Sequence, residues 1–249
     1  MKAMILAAGV GERLRPITHQ LPKALVPVAG RPMIEYPLLL LRHHGIREII
    51  INLHHLGEQI EAYLGDGKQL GLKISYSREQ DLLDTGGGLL KAKPFLQEGA
   101  FIVINTDVLI DLPLAPLIAF HEQKRAAATL VLRPDEMADR YGSMEIDSEG
   151  RICRFLETRP PNLIPFSGPK LMFTGVQILE PRVFNYMPTD GGERKFGTTK
   201  ETYPKMLLAG EELYGFCFDG FWQDLGTASR IQDTADKLTS GSIKLHYLP

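Results

Sequence analysis

Two glycines, an arginine and a lysine near the amino terminus form the sequence's most pointed cluster of chemistry. Gly9-Val10-Gly11-Glu12-Arg13 follows an apolar run, and Pro22-Lys23 ends ten residues after Arg13. Glycines at such a place let the backbone approach a phosphate and turn its N–H groups toward the anion. Arg13 suits a bidentate grip on phosphate oxygens. Lys23 supplies a point charge where a transferred phosphoryl group gains negative charge. A dinucleotide fingerprint would need a glycine at position 14, where Leu14 stands. A Walker loop would need Gly-Lys-Ser/Thr, but Gly67-Lys68 precedes Gln69. Both motifs fail, and a phosphate-facing loop of another kind remains.

Two acids stand far apart in the sequence. Asp107 ends Asn105-Thr106-Asp107 directly after the run FIVIN, which puts it at the carboxyl end of a buried strand. Asp224 lies in Phe221-Trp222-Gln223-Asp224-Leu225-Gly226-Thr227, just before a helix start. Two carboxylates can hold Mg²⁺, which takes one or two protein acids and leaves its other positions to water and phosphates. Neither a Ser-His-Asp nor a Cys-His arrangement is evident, so catalysis would rest on positioning and charge neutralisation. His43, His44, His54 and His55 come in pairs without metal-ligand spacing and read as surface or boundary residues.

The elements that must position these residues alternate between strand and helix over the first half. Strands are predicted at Lys2–Leu6, Glu48–Leu53, Lys73–Ser77, Phe101–Asn105 and Ala128–Leu132. Between them the helical period predicts a helix with Pro32 near its start, Ile34, Leu38 and Leu41 on one face and Gly45 at its end. Further helices are predicted at Gly57–Leu64 and Leu114–Gln123. This order implies βα units on a largely parallel sheet. After about residue 140 the character changes. An antiparallel hairpin is predicted over Met144–Asp147 and Arg151–Leu156, then a strand at Leu171–Leu179 and a helix at Thr199–Ala209. Glu212–Trp222 reads as strand, and Thr227 caps a final helix running to about Leu238.

Composition excludes several classes. The 249 residues carry a formal net charge of -2 and 44% hydrophobic content, enough for one sizeable core. No basic excess points to nucleic acid or a membrane surface. Cys153 and Cys217 fit neither a disulfide framework nor a metal spacing. No signal peptide or spanning segment is read, so a cytoplasmic location is expected. No hexapeptide array follows the core, so a stand-alone catalytic domain over 1–249 is expected. Its lobes would cover about 1–140 for the nucleotide and about 141–249 for the sugar. Nothing in the sequence fixes the oligomeric state.

Leu6-Ala7-Ala8-Gly9-Val10-Gly11-Glu12-Arg13-Leu14-Arg15-Pro16 and Pro22-Lys23-Ala24-Leu25-Val26-Pro27-Val28 together resemble the signature of the sugar-phosphate nucleotidyltransferases. That family includes mannose 1-phosphate guanylyltransferases, glucose 1-phosphate thymidylyltransferases and N-acetylmuramate 1-phosphate uridylyltransferases. The resemblance implies an α/β, Rossmann-like (GT-A-like) three-layer fold with a mixed, mainly parallel central sheet. It implies a nucleoside triphosphate and a sugar 1-phosphate as substrates, with Mg²⁺ as cofactor. Arg13 and Lys23 would be catalytic, and Leu6, Ala7, Gly9, Gly11 and Asp107 would contact the nucleotide. Asp107 and Asp224 would hold the metal. The family usually has glycine where this chain has Thr106, whose side chain could crowd the ribose.

In relatives, the stretch matching Tyr76–Gly88 holds the nucleobase, which points to Glu79 and the backbone of Leu82 as readers. Tyr141-Gly142, Glu157 and Thr174-Gly175 resemble positions that hold sugar hydroxyls. Many relatives follow the glutamate with a phosphate-binding lysine, whereas this chain reads Glu157-Thr158-Arg159-Pro160, leaving Arg159 or Lys170 to substitute. A carboxylate at Glu79 can pair with guanine's two adjacent donors, which favours GTP with mannose or a heptose 1-phosphate. The segment Leu83–Gly88 instead resembles N-acetylmuramate 1-phosphate uridylyltransferases, so UTP or dTTP is the alternative. A catalytically inactive regulatory relative would be expected to lose the Arg13–Lys23 pair or one acid, and all four residues are present. A glycosyltransferase would show Asp-x-Asp, but Leu109 stands two residues after Asp107.

Overall fold

A computed structural model of the chain describes residues 1–135, 138, 144–160, 170–189 and 194–248. Its strands in chain order begin with β1 (Lys2–Leu6), β2 (Pro27–Val28), β3 (Arg31–Pro32), β4 (Glu48–Leu53), β5 (Lys73–Arg78), β6 (Phe101–Asn105) and β7 (Val108–Ile110). They continue with β8 (Ala128–Pro134), β9 (Met144–Ile146), β10 (Ile152–Phe155), β11 (Leu171–Leu179), β12 (Leu213–Cys217) and β13 (Trp222–Asp224). The chain divides into two compact units that interleave in sequence. Unit 1 takes Met1–Asp84, Ile104–Leu112 and Gly220–Pro249, and unit 2 takes Thr85–Val103 and Pro113–Asp219.

Unit 1 is built on a parallel arrangement. The β-branched run of β4 pairs with β1 from Ala3↔Ile49 to Leu6↔Asn52 and with β5 from Glu48↔Lys73 to Leu53↔Arg78. Strands covered on both faces read as continuous apolar runs, and Met4, Ile5, Ile49 and Ile51 are fully buried. Helix α1 (Glu35–His43) buries Leu38 and Leu41, and Gly45 follows it at φ 77, the left-handed conformation that ends a helix. Pro32 belongs to the β2–β3 ribbon rather than to the helix itself. Helix α2 (Gly57–Leu64) has the predicted bounds. Because β1, β4 and β5 run parallel, the loops after Leu6, Leu53 and Arg78 open at one edge, where ligands of open α/β sheets bind.

Unit 2 is mixed. Strand β8 pairs antiparallel with β11 and parallel with β12, and β9 and β10 form the predicted hairpin. The β8–β11 register shifts between Phe173 and Gln177, and Gly175 inside that irregularity has φ 88. The glycine triplet Gly86–Gly88 lies in helix α3 (Asp84–Lys91). The Gly86 N–H donates to Phe196 O at 2.9 Å, and a Cβ at Gly86 would overlap the Phe196 ring. These glycines therefore serve close packing. Helix α4 (Lys93–Leu96) follows, and helix α5 (Leu114–Lys124) lies as expected. The segment expected as one helix over Thr199–Ala209 is a π turn, Thr198–Thr202, leading into a helix at Tyr203–Leu208. Pro204 stands in that helix's first turn, where its missing N–H has no intrahelical partner to lose. The predicted Glu212–Trp222 strand is two strands, β12 and β13. Among the described residues no helix is long and apolar enough to cross a membrane.

Candidate active site

The glycine loop leaves β1 in a braced conformation. Gly11 has φ 69, and a Cβ there would come within 2.9 Å of Thr18 Cγ2 and 3.0 Å of Lys23 Cβ. A side chain would therefore be both strained and crowded. Gly9 has open space around the position of its absent Cβ, so its backbone is approachable. The Thr18 hydroxyl donates to Gly11 O at 2.9 Å, and the Leu14 N–H donates to the same carbonyl at 2.9 Å. The loop is thus held open before any ligand arrives. Leu14 is buried, which fixes the short helical turn Glu12–Leu14 that carries Arg13.

Lys23 and Asp107 meet. The Lys23 ammonium donates to Asp107 Oδ2 in a partly buried ion pair, with side chains 16% and 26% exposed. Asp107 stands between β6 and β7, and β7 pairs antiparallel with β13 so that Asp224 lies opposite Val108. The Leu225 N–H donates to Asp107 O at 2.8 Å. Two acids separated by over a hundred residues are therefore neighbours across one ribbon. Asp224 Oδ1 accepts from the Gly226 N–H at 2.5 Å, and its Oδ2 pairs with Arg230 Nη1 at 3.0 Å. A Cβ at Gly226 would overlap the Arg13 guanidinium, so glycine at 226 is what lets Arg13 lie against this loop.

The departure at Thr106 is absorbed by the backbone. Its hydroxyl donates to Leu6 O at 2.7 Å, its N–H donates to the same carbonyl at 3.1 Å, and the residue is 5% exposed. The side chain folds back onto β1, joining the end of β6 to the start of the glycine loop.

Arg230 and Asn52 were not found from the sequence. Arg230 is the third residue of the helix Ala228–Thr239, and its N–H is capped by Thr227 Oγ1 at 3.4 Å. The signal was available, since Thr227 as a cap places Arg230 in the first turn beside Asp224. Asn52 is the sole polar side chain inside the EIIINL run after Glu48. Its Oδ1 accepts from the Ala7 N–H at 2.8 Å and its Nδ2 donates to Glu79 Oε1 at 2.7 Å. Glu79 Oε2 accepts from the Leu83 N–H at 3.0 Å. A buried chain thus links the glycine loop to the segment that carries Leu82. Glu79 is only 5% exposed, and each of its oxygens already accepts one bond.

In unit 2 the described residues among those singled out for the sugar do not form a polar cluster of this kind. The Thr174 hydroxyl donates to Val131 O at 2.8 Å, inside the sheet. Gly175 lies in the β11 irregularity, and Glu157 is exposed on the tight turn closed by mutual Phe155–Thr158 backbone bonds at 2.9 Å. Arg159 Nη2 pairs with Glu145 Oε2 at 2.5 Å, and Arg154 takes the other oxygen of Glu145 at 2.8 Å. Lys170 is exposed beside β11. Tyr141 and Gly142 lie outside the described residues.

The nucleotidyl transferase family model matches residues 2–241. The chain belongs to the nucleotidyl transferase family. Among similar members, a Synechocystis sp. UTP–glucose-1-phosphate uridylyltransferase is 36% identical over 100% of this chain and 66% of its own length. A Neisseria meningitidis N-acetylmuramate alpha-1-phosphate uridylyltransferase is 38% identical over 94% of this chain and 96% of its own. A Mycobacterium tuberculosis mannose-1-phosphate guanylyltransferase is 33% identical over 90% and 61%. The chain therefore spans slightly less than two thirds of the length of several curated relatives, and nearly all of the Neisseria one. A Bacillus anthracis chain described as a glucose-1-phosphate thymidylyltransferase superposes with a TM-score of 0.78 at 24% identity, covering 98% of this chain and 96% of that one. HddC from Yersinia pseudotuberculosis, complexed with GMP-PN, superposes with a TM-score of 0.76 at 23% identity, covering 95% and 99%. At these identities the likeness establishes the fold, which is the GT-A-like nucleotidyltransferase fold with a mixed central sheet.

Proposed function

We propose that this chain is an enzyme joining a sugar 1-phosphate to a nucleoside triphosphate, with release of pyrophosphate. The observation that carries the reading is the meeting of Lys23, Asp107 and Asp224 at the end of the glycine loop, with Arg13 against Gly226. A sugar-phosphate oxygen attacks the α-phosphorus in line. The bond from that phosphorus to the bridging oxygen breaks, and pyrophosphate leaves with the electron pair. Arg13 holds the departing phosphates, and Lys23 offsets charge gathering around the α-phosphate. The open backbone at Gly9 and the αL turn at Gly11 present the loop to the triphosphate.

Asp107 and Asp224, whose backbones are neighbours across the β7–β13 ribbon, supply hard oxygen donors of the kind that suits Mg²⁺ and would be its protein ligands. When bound, Mg²⁺ supplies Lewis-acid neutralisation of phosphate oxygens. Lys23 and Arg230 aim these acids, since each forms an ion pair with one of them.

For the base, the geometry supports a pyrimidine nucleotide, UTP or dTTP, over GTP. A bidentate grip on guanine's N1–H and amino group would need a second bond at both oxygens of buried Glu79. A pyrimidine N3–H asks for only one. The two uridylyltransferases among the similar relatives agree with this reading, and the guanylyltransferases define the competing one.

The experiment is a pyrophosphate-release assay with Mg²⁺, comparing kcat/KM for UTP, dTTP, GTP, ATP and CTP against glucose, N-acetylmuramate and mannose 1-phosphates. Preference for UTP or dTTP is expected. Preference for GTP would overturn the base assignment and leave the reaction standing. No pyrophosphate with any pair would overturn the reaction itself.

A further inference from the structure

Three imidazoles gather in unit 1 among residues that the transfer chemistry does not use. His43 lies in the last turn of α1 and His44 caps it, while His246 comes from the segment after the last helix. Their ring centroids are 5.0 to 5.5 Å apart. One nitrogen from each ring lies within 4.8 Å of the other two, and His44 Nε2 sits 3.2 Å from His246 Nε2. A single hydrogen bond would account for that pair, yet it gives no role to the third ring converging on the same point.

The arrangement has the further parts of a cation site. His246 Nδ1 donates to Asp111 Oδ1 at 2.5 Å, and the same oxygen accepts the His246 backbone N–H at 2.8 Å. A carboxylate on Nδ1 fixes the tautomer with a lone pair on Nε2 and orients the ring, the usual support of a metal-ligating histidine. Asp111 is itself pinned, its N–H donating to Phe221 O at 3.0 Å. On either side of His246, Leu245 and Tyr247 are buried, so packing turns the imidazole outward between two anchors. The carbonyl end of α1 carries negative partial charge that favours a cation beside His43 and His44. Zinc binds imidazole nitrogen at about 2.0–2.1 Å, so two ligands of a tetrahedral ion stand about 3.4 Å apart, close to the observed pair.

We propose that His43, His44 and His246 form a binding site for a first-row divalent transition ion, Zn²⁺ in particular, with Asp111 as the residue that positions His246. Three imidazoles suit Zn²⁺ better than Mg²⁺, which prefers oxygen and would occupy the Asp107–Asp224 pair instead. The exposure of His43 and His246 leaves a fourth position to water. Bound there, the ion ties the segment around His246 to the end of α1.

The test is calorimetric titration of the chelator-treated full chain with ZnCl2 alone, in excess Mg²⁺ so that the oxygen-donor pair is not counted. One Zn²⁺ per chain is expected. His43→Gln and His246→Gln should each weaken binding by at least about 10-fold, and Asp111→Asn by about 10–100-fold. Co²⁺ should give the absorption of a nitrogen-bound tetrahedral ion in the wild type and lose it in His246→Gln. Circular dichroism without metal checks that each variant is folded, and exposed His43 is the substitution least able to disturb folding. Zinc affinity unchanged in folded His43→Gln and His246→Gln, or no wild-type binding at millimolar Zn²⁺, would overturn the site.

Discussion

In unit 1 the charged residues found in the sequence meet one another: Lys23 pairs with Asp107, and Asp224 lies across the ribbon with Arg230 on its other oxygen. In unit 2, Thr174 and Arg159, two of the described residues matched to the sugar phosphate, are engaged within the fold itself. Thr174 bonds Val131 O, and Arg159 shares Glu145 with Arg154. On the proposed function, the difference follows from what each ligand would demand. A triphosphate and a metal need several charges fixed in advance, which a sheet edge with opposed loops can hold. The sugar ring of a sugar 1-phosphate needs hydroxyl partners, and exposed turns such as the one carrying Glu157 can supply them without a preformed cluster.

The sharpest way to break this comparison is to disarm unit 1. Asp107→Asn, Asp224→Asn and Lys23→Ala should each lower kcat by about 10²–10³-fold or more while the circular dichroism spectrum stays unchanged. For Lys23→Ala the loss should fall on kcat more than on KM, because charge on the reacting phosphates grows toward the transition state. A change confined to KM would make Lys23 a ground-state binder. Arg230→Ala should cost less, about 10-fold in kcat, since it acts through Asp224. Arg230→Lys should recover part of that loss.

Much of unit 1 was legible because its signals are local. The apolar runs at Lys2–Leu6 and Glu48–Leu53 and the period of Gly57–Leu64 give the observed bounds without reference to partners. Other features depend on tertiary contact and left no such trace. The close approach of Gly86 to Phe196, far away in the chain, leaves no local mark, and neither does the π turn at Thr198–Thr202. Within the candidate site, Asp107 and Asp224 were paired by the family resemblance, and Arg13 and Lys23 were nameable from residue type and spacing. That Glu79 is engaged on both oxygens was not, because Asn52 lies on another strand and its amide reads as one polar interruption in an apolar run.

Asn52→Ala sharpens the comparison further, by cutting the link between the glycine loop and Glu79. It should lower stability by about 1–3 kcal/mol, read as a fall in Tm, because Glu79 Oε1 and the Ala7 N–H lose their buried partner. Unchanged stability would mean that water replaces the amide without cost. In unit 2, Thr174→Val should cost only about 1 kcal/mol and leave the KM for sugar phosphate within about 2-fold, since the hydroxyl serves Val131. A large rise in that KM would show that Thr174 reaches the sugar after all and would dissolve the contrast between the units.

The most direct measurement of the central claim is phosphorus NMR of the full chain incubated with Mg²⁺, UTP and a panel of sugar 1-phosphates, beside the same mixture with Asp107→Asn. The account predicts paired diphosphate resonances of an NDP-sugar, growing together with pyrophosphate in equal amount for the wild type, and almost none of either for folded Asp107→Asn. Pyrophosphate formed without an NDP-sugar, or Asp107→Asn turning over as fast as the wild type, would contradict it.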